Sequence, residues 1–371
     1  MLPDPPITSY HSAQIIIDGQ RLTPNATGVG RYLSVLLDQW AENPSSLPFQ
    51  PTIVLRTPRP PEMDPWKMHF RHICRGSTLP GLIWENAVIS APEFRRLPLF
   101  ATANLVPYRW QGPVVLVIHD TLCEHPDSEI SRLNRLRFRA RYRRSAQRAD
   151  LILTPSNASA IDIQTHFKIP ERRILVIPPG LPAIFHQKNA SHFNSHSWIP
   201  GLPENYLLFV GKKSARRQFP RILEAIRRIR QSGHSLKLVA VGPISNHHNH
   251  DDGLIDLGYV SDQALVDLYQ NAMALVWPSS REGFGLPIAE SMACGCPVIT
   301  SPVNAIAEVA GEAAMALSEI TPESISSALL QLINNPDLQI QLRQKGLLQA
   351  SRFNRSVFAT KVAQAIATIA N

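Results

Sequence analysis

Two carboxylates, Glu282 and Glu290, bracket a glycine-bearing turn in the segment SSREGFGLPIAESMACGCPVIT, Ser279 to Thr300. A turn that opens a helix offers unpaired N–H groups and a positive dipole end, so Gly283, Phe284, Gly285 and Leu286 could present backbone amides to a phosphate with an acid on either side. Upstream, Ala274 to Pro278 reads as a short buried strand ended by proline, and from Pro287 onward Ala289, Glu290, Met292 and Ala293 read as a helix with proline in its first turn. Strand, loop, helix is the order in which open α/β sheets place ligands, at the carboxyl ends of strands. Taken alone, the two acids also fit a loop surface charge and a solvent-facing helix residue.

Other chemistry-bearing residues stand at comparable places. The run VVLVIHD, Val114 to Asp120, reads as a strand buried on both faces that ends in His119 and Asp120. The strand YLLFVG, Tyr206 to Gly211, is followed by Lys212, Lys213, Arg216 and Arg217, cations placed to neutralise an anion through charge-assisted hydrogen bonds. Near the start, strand Ile15 to Asp18 precedes TGVGRY, Thr27 to Tyr32, and an amphipathic helix through Leu36, Leu37 and Trp40. The third glycine of a dinucleotide fingerprint is replaced by Leu33, which argues against a nicotinamide site. From Ser131 to Ala149 the chain holds eight arginines and no acid. On a helix Arg137, Arg141, Arg144 and Arg148 form one stripe that an anionic surface would relieve of repulsion, with Phe138, Tyr142, Ala146 and Ala149 packed inward; a solvated face is the alternative.

The elements that must position these groups follow from size and pattern. A chain of 371 residues exceeds what one core usually supports, so two domains are expected. The formal charge of +8 favours an anionic partner, and no nucleic-acid-binding signature accompanies it. Four scattered cysteines make no disulfide framework and suggest a reducing compartment. With no leader pattern and no apolar run of membrane-spanning length, a cytoplasmic protein is the plain expectation. Histidines near 181–204 and in NHHNHDD, Asn246 to Asp252, lack ligand spacing, and no metal site is expected. The first group reads as linker, the second as a polar loop, and the proline-rich stretch from about Thr57 to Gly112 as loop around a short helix at Gly81 to Ile89.

The E-x7-E spacing with GFG inside it, preceded by PSS and followed by ACGCPVI, resembles the retaining glycosyltransferases of family 4. That resemblance implies an α/β chain in the GT-B arrangement, two Rossmann-like domains facing a cleft. The divisions would be an acceptor-side domain at 1–185, a nucleotide-sugar domain at 200–350, and a C-terminal helix at 351–371 crossing back to the first domain. It also implies roles: Glu282 and His119 beside the donor sugar, Glu290 on the ribose, Val260 near the base, and the amides of Phe284, Gly285 and Leu286 on the diphosphate. Arg217 would join them on the diphosphate, replacing the family's usual lysine, with Lys212 assisting. Gly28, Gly30 and Arg31 would line the cleft. The implied reaction is transfer of a hexosyl group from a nucleotide diphosphate sugar such as GDP-mannose to a saccharide or lipid-linked acceptor. It would need no cofactor beyond that co-substrate and would belong to polysaccharide or glycolipid synthesis, on the inner face of a membrane if the arginine helix docks there. A catalytically silent relative of the same fold is the alternative.

Overall fold

The computed structural model describes residues 13–23, 28–58, 64–125, 129–186, 202–243 and 253–370. Thr27, the NHHNHDD stretch and most of the linker region lie outside them.

The first lobe runs β1 (Ala13–Asp18), α1 (Gly28–Glu42), β2 (Phe49–Leu55), β3 (Arg71–Cys74), α2 (Gly81–Trp84, continued by a π-helical turn Glu85–Ile89), β4 (Leu99–Ala101), β5 (Val114–Val117), α3 (Arg132–Arg148), β6 (Leu151–Thr154), α4 (Asn157–Phe167) and β7 (Ile174–Val176). Its strands lie in the order β3-β2-β1-β4-β5-β6-β7, with every neighbouring pair parallel. The second lobe runs β8 (Tyr206–Val210), α5 (Phe219–Gln231), β9 (Lys237–Val241), β10 (Leu254–Gly258), α6 (Asp262–Asn271), β11 (Ala274–Trp277), α7 (Leu286–Ala293), β12 (Val298–Thr300), α8 (Asn304–Ala310), β13 (Met315–Ala316), α9 (Pro322–Ile333), α10 (Pro336–Ala350) and α11 (Arg355–Ala370). Its sheet, β10-β9-β8-β11-β12-β13, is again parallel throughout. Strands β5, β8 and β11 are buried along their whole length, as their unbroken apolar runs require when helices cover both faces.

In each sheet the order of travel reverses between two central neighbours, β1 and β4 in one and β8 and β11 in the other. Crevices outside the carboxyl ends of such strands are where open α/β sheets bind ligands. Helix α11 returns to the first lobe: Phe358, Val362 and Ile366 share a core with Ile15, Leu36 and Val115, and Trp40 Nε1 donates to the Ala359 carbonyl at 3.1 Å. The two crossings lie against each other. Leu181 N donates to Phe353 O at 3.0 Å, and a Cβ on Gly180 would stand 2.4 Å from Arg355 Cα. By Leu181 and Phe185 the chain is already inside the second core, before the expected boundary at 185.

The stretch from 57 to 112 holds more than loop and the expected short helix. It supplies β3 at the sheet edge and β4 near its centre. Both hide from pattern reading, because β3 is largely exposed and so lacks an apolar alternation, while β4 has only three residues. Among the described residues no helix is long and apolar enough to cross a membrane.

Candidate active site between the lobes

Helix α7 begins where Gly285, at φ 106°, bends the chain into the left-handed region, with Pro287 in the first turn. This start turns Glu290 toward Arg31 of the first lobe. Glu290 is 3% exposed; its Oε1 accepts from Arg31 Nη1 at 2.6 Å and its Oε2 from the Tyr269 hydroxyl at 3.3 Å. Arg31, from the first turn of α1, also donates to Asp262 Oδ1 at 2.5 Å and lies over the Phe185 ring. Burial lowers the Arg31 pKa, but Glu290 and Asp262 outweigh it and the net shift is upward, so the guanidinium stays charged. Burial and the neighbouring Glu290 raise the Tyr269 phenol, which keeps its proton and serves as donor.

Glu282 faces a second group of cations. Its Oε1 forms an ion pair with Arg216 Nη1 at 2.8 Å and accepts from Arg217 Nε at 3.2 Å and Ser279 Oγ at 3.1 Å. Arg217 stacks on Trp277 with its guanidinium carbon 4.7 Å from the ring centroid, and its tip fills the space beside Gly211, where a Cβ would approach to 2.4 Å. Burial draws the Arg217 pKa down while Glu282 opposes it.

His119 follows β5. Its Nε2 lies 2.9 Å from the Thr102 carbonyl, which can only accept, so Nε2 carries the proton and Nδ1 is left with a lone pair. The ring meets Tyr32 edge-on at 5.0 Å, and its backbone N–H donates to Asn104 Oδ1 at 2.8 Å. Burial lowers its pKa to about 4 against the opposing Thr102 bond, and nearby Arg21 adds to the lowering. An unfolded chain takes up this proton near pH 6.5, the folded one only near pH 4, so between those values stability falls as pH falls. At about 1.4 kcal/mol per pH unit the loss approaches roughly 3 kcal/mol. His119→Gln should flatten the unfolding free energy measured in urea between pH 7 and pH 4.5; a slope equal to the parent's would remove His119 from this account.

The lobes meet along this line. Gly283 has no room for a side chain: a Cβ there would lie 1.9 Å from the His119 carbonyl oxygen and 2.9 Å from Asp120 Cβ. Its own carbonyl accepts from Ser156 Oγ at 2.8 Å and Ser159 Oγ at 3.3 Å. Glu308 of α8 accepts from the first backbone N–H groups of α4, Asn157 at 2.8 Å and Ala158 at 2.6 Å, an acid at the positive end of a helix.

Other residues expected at the site have varied surroundings. Lys212 is 72% exposed and, among the described residues, approaches Glu129 at 3.8 Å. The enclosed lysine is Lys213, held by Asp256 at 3.0 Å and by the Pro243 carbonyl. Gly28 stands against Leu286 and Arg31 is engaged with Glu290, both across the boundary between the lobes, while Gly30 is buried in α1. Phe284 is buried edge-on against Phe353. Val260 is partly buried against the second core, just after exposed Tyr259. The arginine stripe is divided. Arg144 donates to the Val106 carbonyl and covers the Tyr108 ring at 3.8 Å, Arg148 reaches the Gly112 carbonyl and Asp150, and Arg141 is half-buried; only Arg137 of the four is exposed. Sequence reading gave no site role to Tyr269 or Asp262, which partner Glu290 and Arg31. Arg216 and Gly283 stood in segments already marked by their sequence, whereas nothing local marks Tyr269 or Asp262, which reach the site through single side-chain contacts to Glu290 and Arg31.

Comparison with known proteins agrees with this architecture. Residues 194–348 match the family model for glycosyl transferases group 1, and residues 27–183 match that for glycosyltransferase family 4. The chain is 28% identical over 227 residues to the O-antigen chain mannosyltransferase B of Escherichia coli, covering 57% of this chain and 58% of that one. It is 27% identical over 243 residues to the MMP alpha-(1->4)-mannosyltransferase of Mycolicibacterium hassiacum, covering 60% and 57%. The matches thus span little more than half the length of these relatives. Among solved structures, Anabaena HepE in complex with UDP and glucose superposes with a TM-score of 0.73 at 16% identity, over 96% of this chain and 99% of that one. WaaG, a glycosyltransferase involved in lipopolysaccharide biosynthesis, does so at 0.68 and 17%, over 95% and 99%. With both halves matched in sequence and the two-sheet architecture shared, the chain belongs to the group 1 glycosyltransferases of family 4, with the GT-B fold.

Proposed function

We propose that this protein is a retaining, metal-independent hexosyltransferase. It moves a mannosyl- or glucosyl-like group from a nucleotide diphosphate sugar to a saccharide or lipid-linked saccharide acceptor, in the synthesis of a cell-surface polysaccharide or glycolipid. The observation that carries this reading is the placing of Glu282 and Glu290 on either side of one glycine turn, both held by arginines, Glu282 by Arg216 and Arg217 of its own lobe and Glu290 by Arg31 from across the interface. Glu290 takes the ribose and the turn's amides take the diphosphate. Arg216 and Arg217 supply the positive charge that the departing diphosphate needs, which is the main catalytic work in such a transfer. His119, neutral and with a free lone pair on Nδ1, accepts a hydrogen bond from a sugar hydroxyl, and the acceptor hydroxyl attacks from the leaving-group side. Product analysis by mass spectrometry over a donor and acceptor panel, with GDP-mannose and UDP-hexoses first, tests the reading. The mannosyltransferase relatives make GDP-mannose the first donor.

A second reading, a silent donor-binding relative, draws on the fact that both carboxylates already have arginine partners; binding without turnover of any donor would favour it. Because Arg31 occupies Glu290 Oε1, ribose must displace or share that partner. Glu290→Ala should raise the donor Kd by on the order of tenfold to a hundredfold, the weight of hydrogen bonds to a charged group, with the circular dichroism spectrum unchanged. Unaltered nucleotide affinity in calorimetry would count against the ribose assignment.

Contact with an anionic membrane is assigned to the outer face of α3. Leu133 and Leu136 are exposed there, along with Arg132, Arg137 and Arg143. At about 1 kcal/mol per basic residue, reversing those three arginines to glutamate should cut flotation with anionic vesicles at least tenfold. Equal flotation of parent and variant would end this assignment.

A further inference from the structure

Three residues that the transfer reaction leaves unused converge beside the contact between the lobes: His125, Asp162 and His166. Asp162 and His166 stand four positions apart on α4 and so project from one face. His125 arrives from the turn that follows Leu122–Glu124. One potential ligand atom from each lies within 4.8 Å of the others, a span that an ion with bonds of about 2.0–2.2 Å can bridge with small side-chain movements. The two imidazole rings meet edge-on with centroids 5.5 Å apart, and all three residues are half-buried.

The surroundings resemble a built site rather than a chance cluster. Thr121 Oγ1 donates to Asp162 Oδ2 at 2.7 Å and holds that carboxylate in place. Glu124 Oε2 stands 3.9 Å from His166 Nδ1 and is itself paired with Arg139 at 2.8 Å. Outer partners of this kind orient metal-binding side chains. His125 Nε2 is 3.2 Å from Asp162 Oδ2, and the proton shared between them is the one that an ion would replace. Two imidazoles and one carboxylate suit zinc, cobalt or nickel, not the all-oxygen preference of magnesium or calcium.

We propose that His125, Asp162 and His166 bind one divalent transition-metal ion of the zinc class, and that this ion competes with Arg281 of the second lobe for Asp162. Arg281 Nη1 lies 3.2 Å from Asp162 Oδ2, and its backbone carbonyl accepts from Arg216 and Ser279 immediately before Glu282 in the chain. A dication on Asp162 repels the guanidinium and loosens one tie between the lobes. The ion therefore acts on closure and plays no part at the diphosphate, whose counter-charges come from the second lobe. The site stands on its own three residues and does not depend on the donor assignment.

The test uses the full chain with His247→Gln, His248→Gln and His250→Gln as the reference protein, so that any ion bound cannot be held by those three histidines. Cobalt is followed by its visible absorption and zinc by competition with a chromophoric chelator. The expected result is one ion per chain, with ligand-field bands and no thiolate charge-transfer band. His125→Ala and His166→Ala should each weaken binding by on the order of tenfold or more, Arg281→Gln should tighten it several-fold, and a large excess of magnesium should leave it unchanged. Should an alanine variant fail to fold, His125→Gln and His166→Gln replace it. Affinity unchanged in both histidine variants, or a sulfur charge-transfer band in the reference protein, overturns the site. No effect of Arg281→Gln overturns the competition.

Discussion

Gly283→Ala is expected to lower kcat/KM by about a hundredfold while leaving donor affinity within a few-fold of the parent. A Cβ at this position would sit 1.9 Å from the His119 carbonyl oxygen, a backbone atom that cannot step aside as a flexible side chain would. Gly283 is not among the glycines with positive φ, so alanine meets no conformational penalty of its own and the clash is the whole effect. The lobes must part by an ångström or more to admit the methyl group. A misplacement of about 1 Å between reacting groups is enough to cost on the order of 10²-fold in rate. Donor contacts assigned to the second lobe stay intact, so the loss should fall on the chemical step, and single-turnover measurement beside calorimetric donor titration separates the two. Equal kcat/KM for parent and variant would show that turnover does not need the lobes to meet as they do here.

Arg217→Ala should reduce kcat by about 10² to 10³-fold, the range found when one preorganised group facing developing negative charge is removed. This side chain is fixed from two directions. Its guanidinium lies over Trp277, and its Nε donates to Glu282, so little reorganisation is left for the transition state. Arg217→Lys should recover to within about tenfold of the parent, because the charge returns but the flat stacking surface and the fork of donors do not. The order arginine, lysine, alanine in kcat, with KM changing far less, is the signature to look for. An alanine variant within threefold of the parent would move the charge-stabilising role to Arg216 or to the turn's amides.

The first prediction turns on one property of the fold: residues far apart in the chain meet across the interface. Arg31 reaches Glu290 from 259 positions away, and Ser156 reaches the Gly283 carbonyl from 127. On the ribose role proposed for Glu290, a donor that separates Arg31 from Glu290 would act on the same surface where Gly283 meets His119.

Much of this protein is written locally. Unbroken apolar runs ending in glycine, proline or histidine announced the buried parallel strands, because a strand covered on both faces has no solvent side to mark. The glycine turn with its flanking acids announced the family and the start of α7, because a left-handed residue followed by proline specifies that bend in either setting. Local pattern said little about β3 and β4, one too exposed and the other too short to carry periodicity, so their strand character comes from neighbours in the sheet. It also could not say which of two adjacent lysines would be enclosed, or that Arg144 and Arg148 would turn back onto carbonyls of their own lobe. Those outcomes depend on what stands opposite each side chain. Charge and hydrogen-bonding capacity belong to the residue, but its partner, and hence its burial and its part in the site, is chosen only when the two sheets and the returning α11 have brought distant segments together.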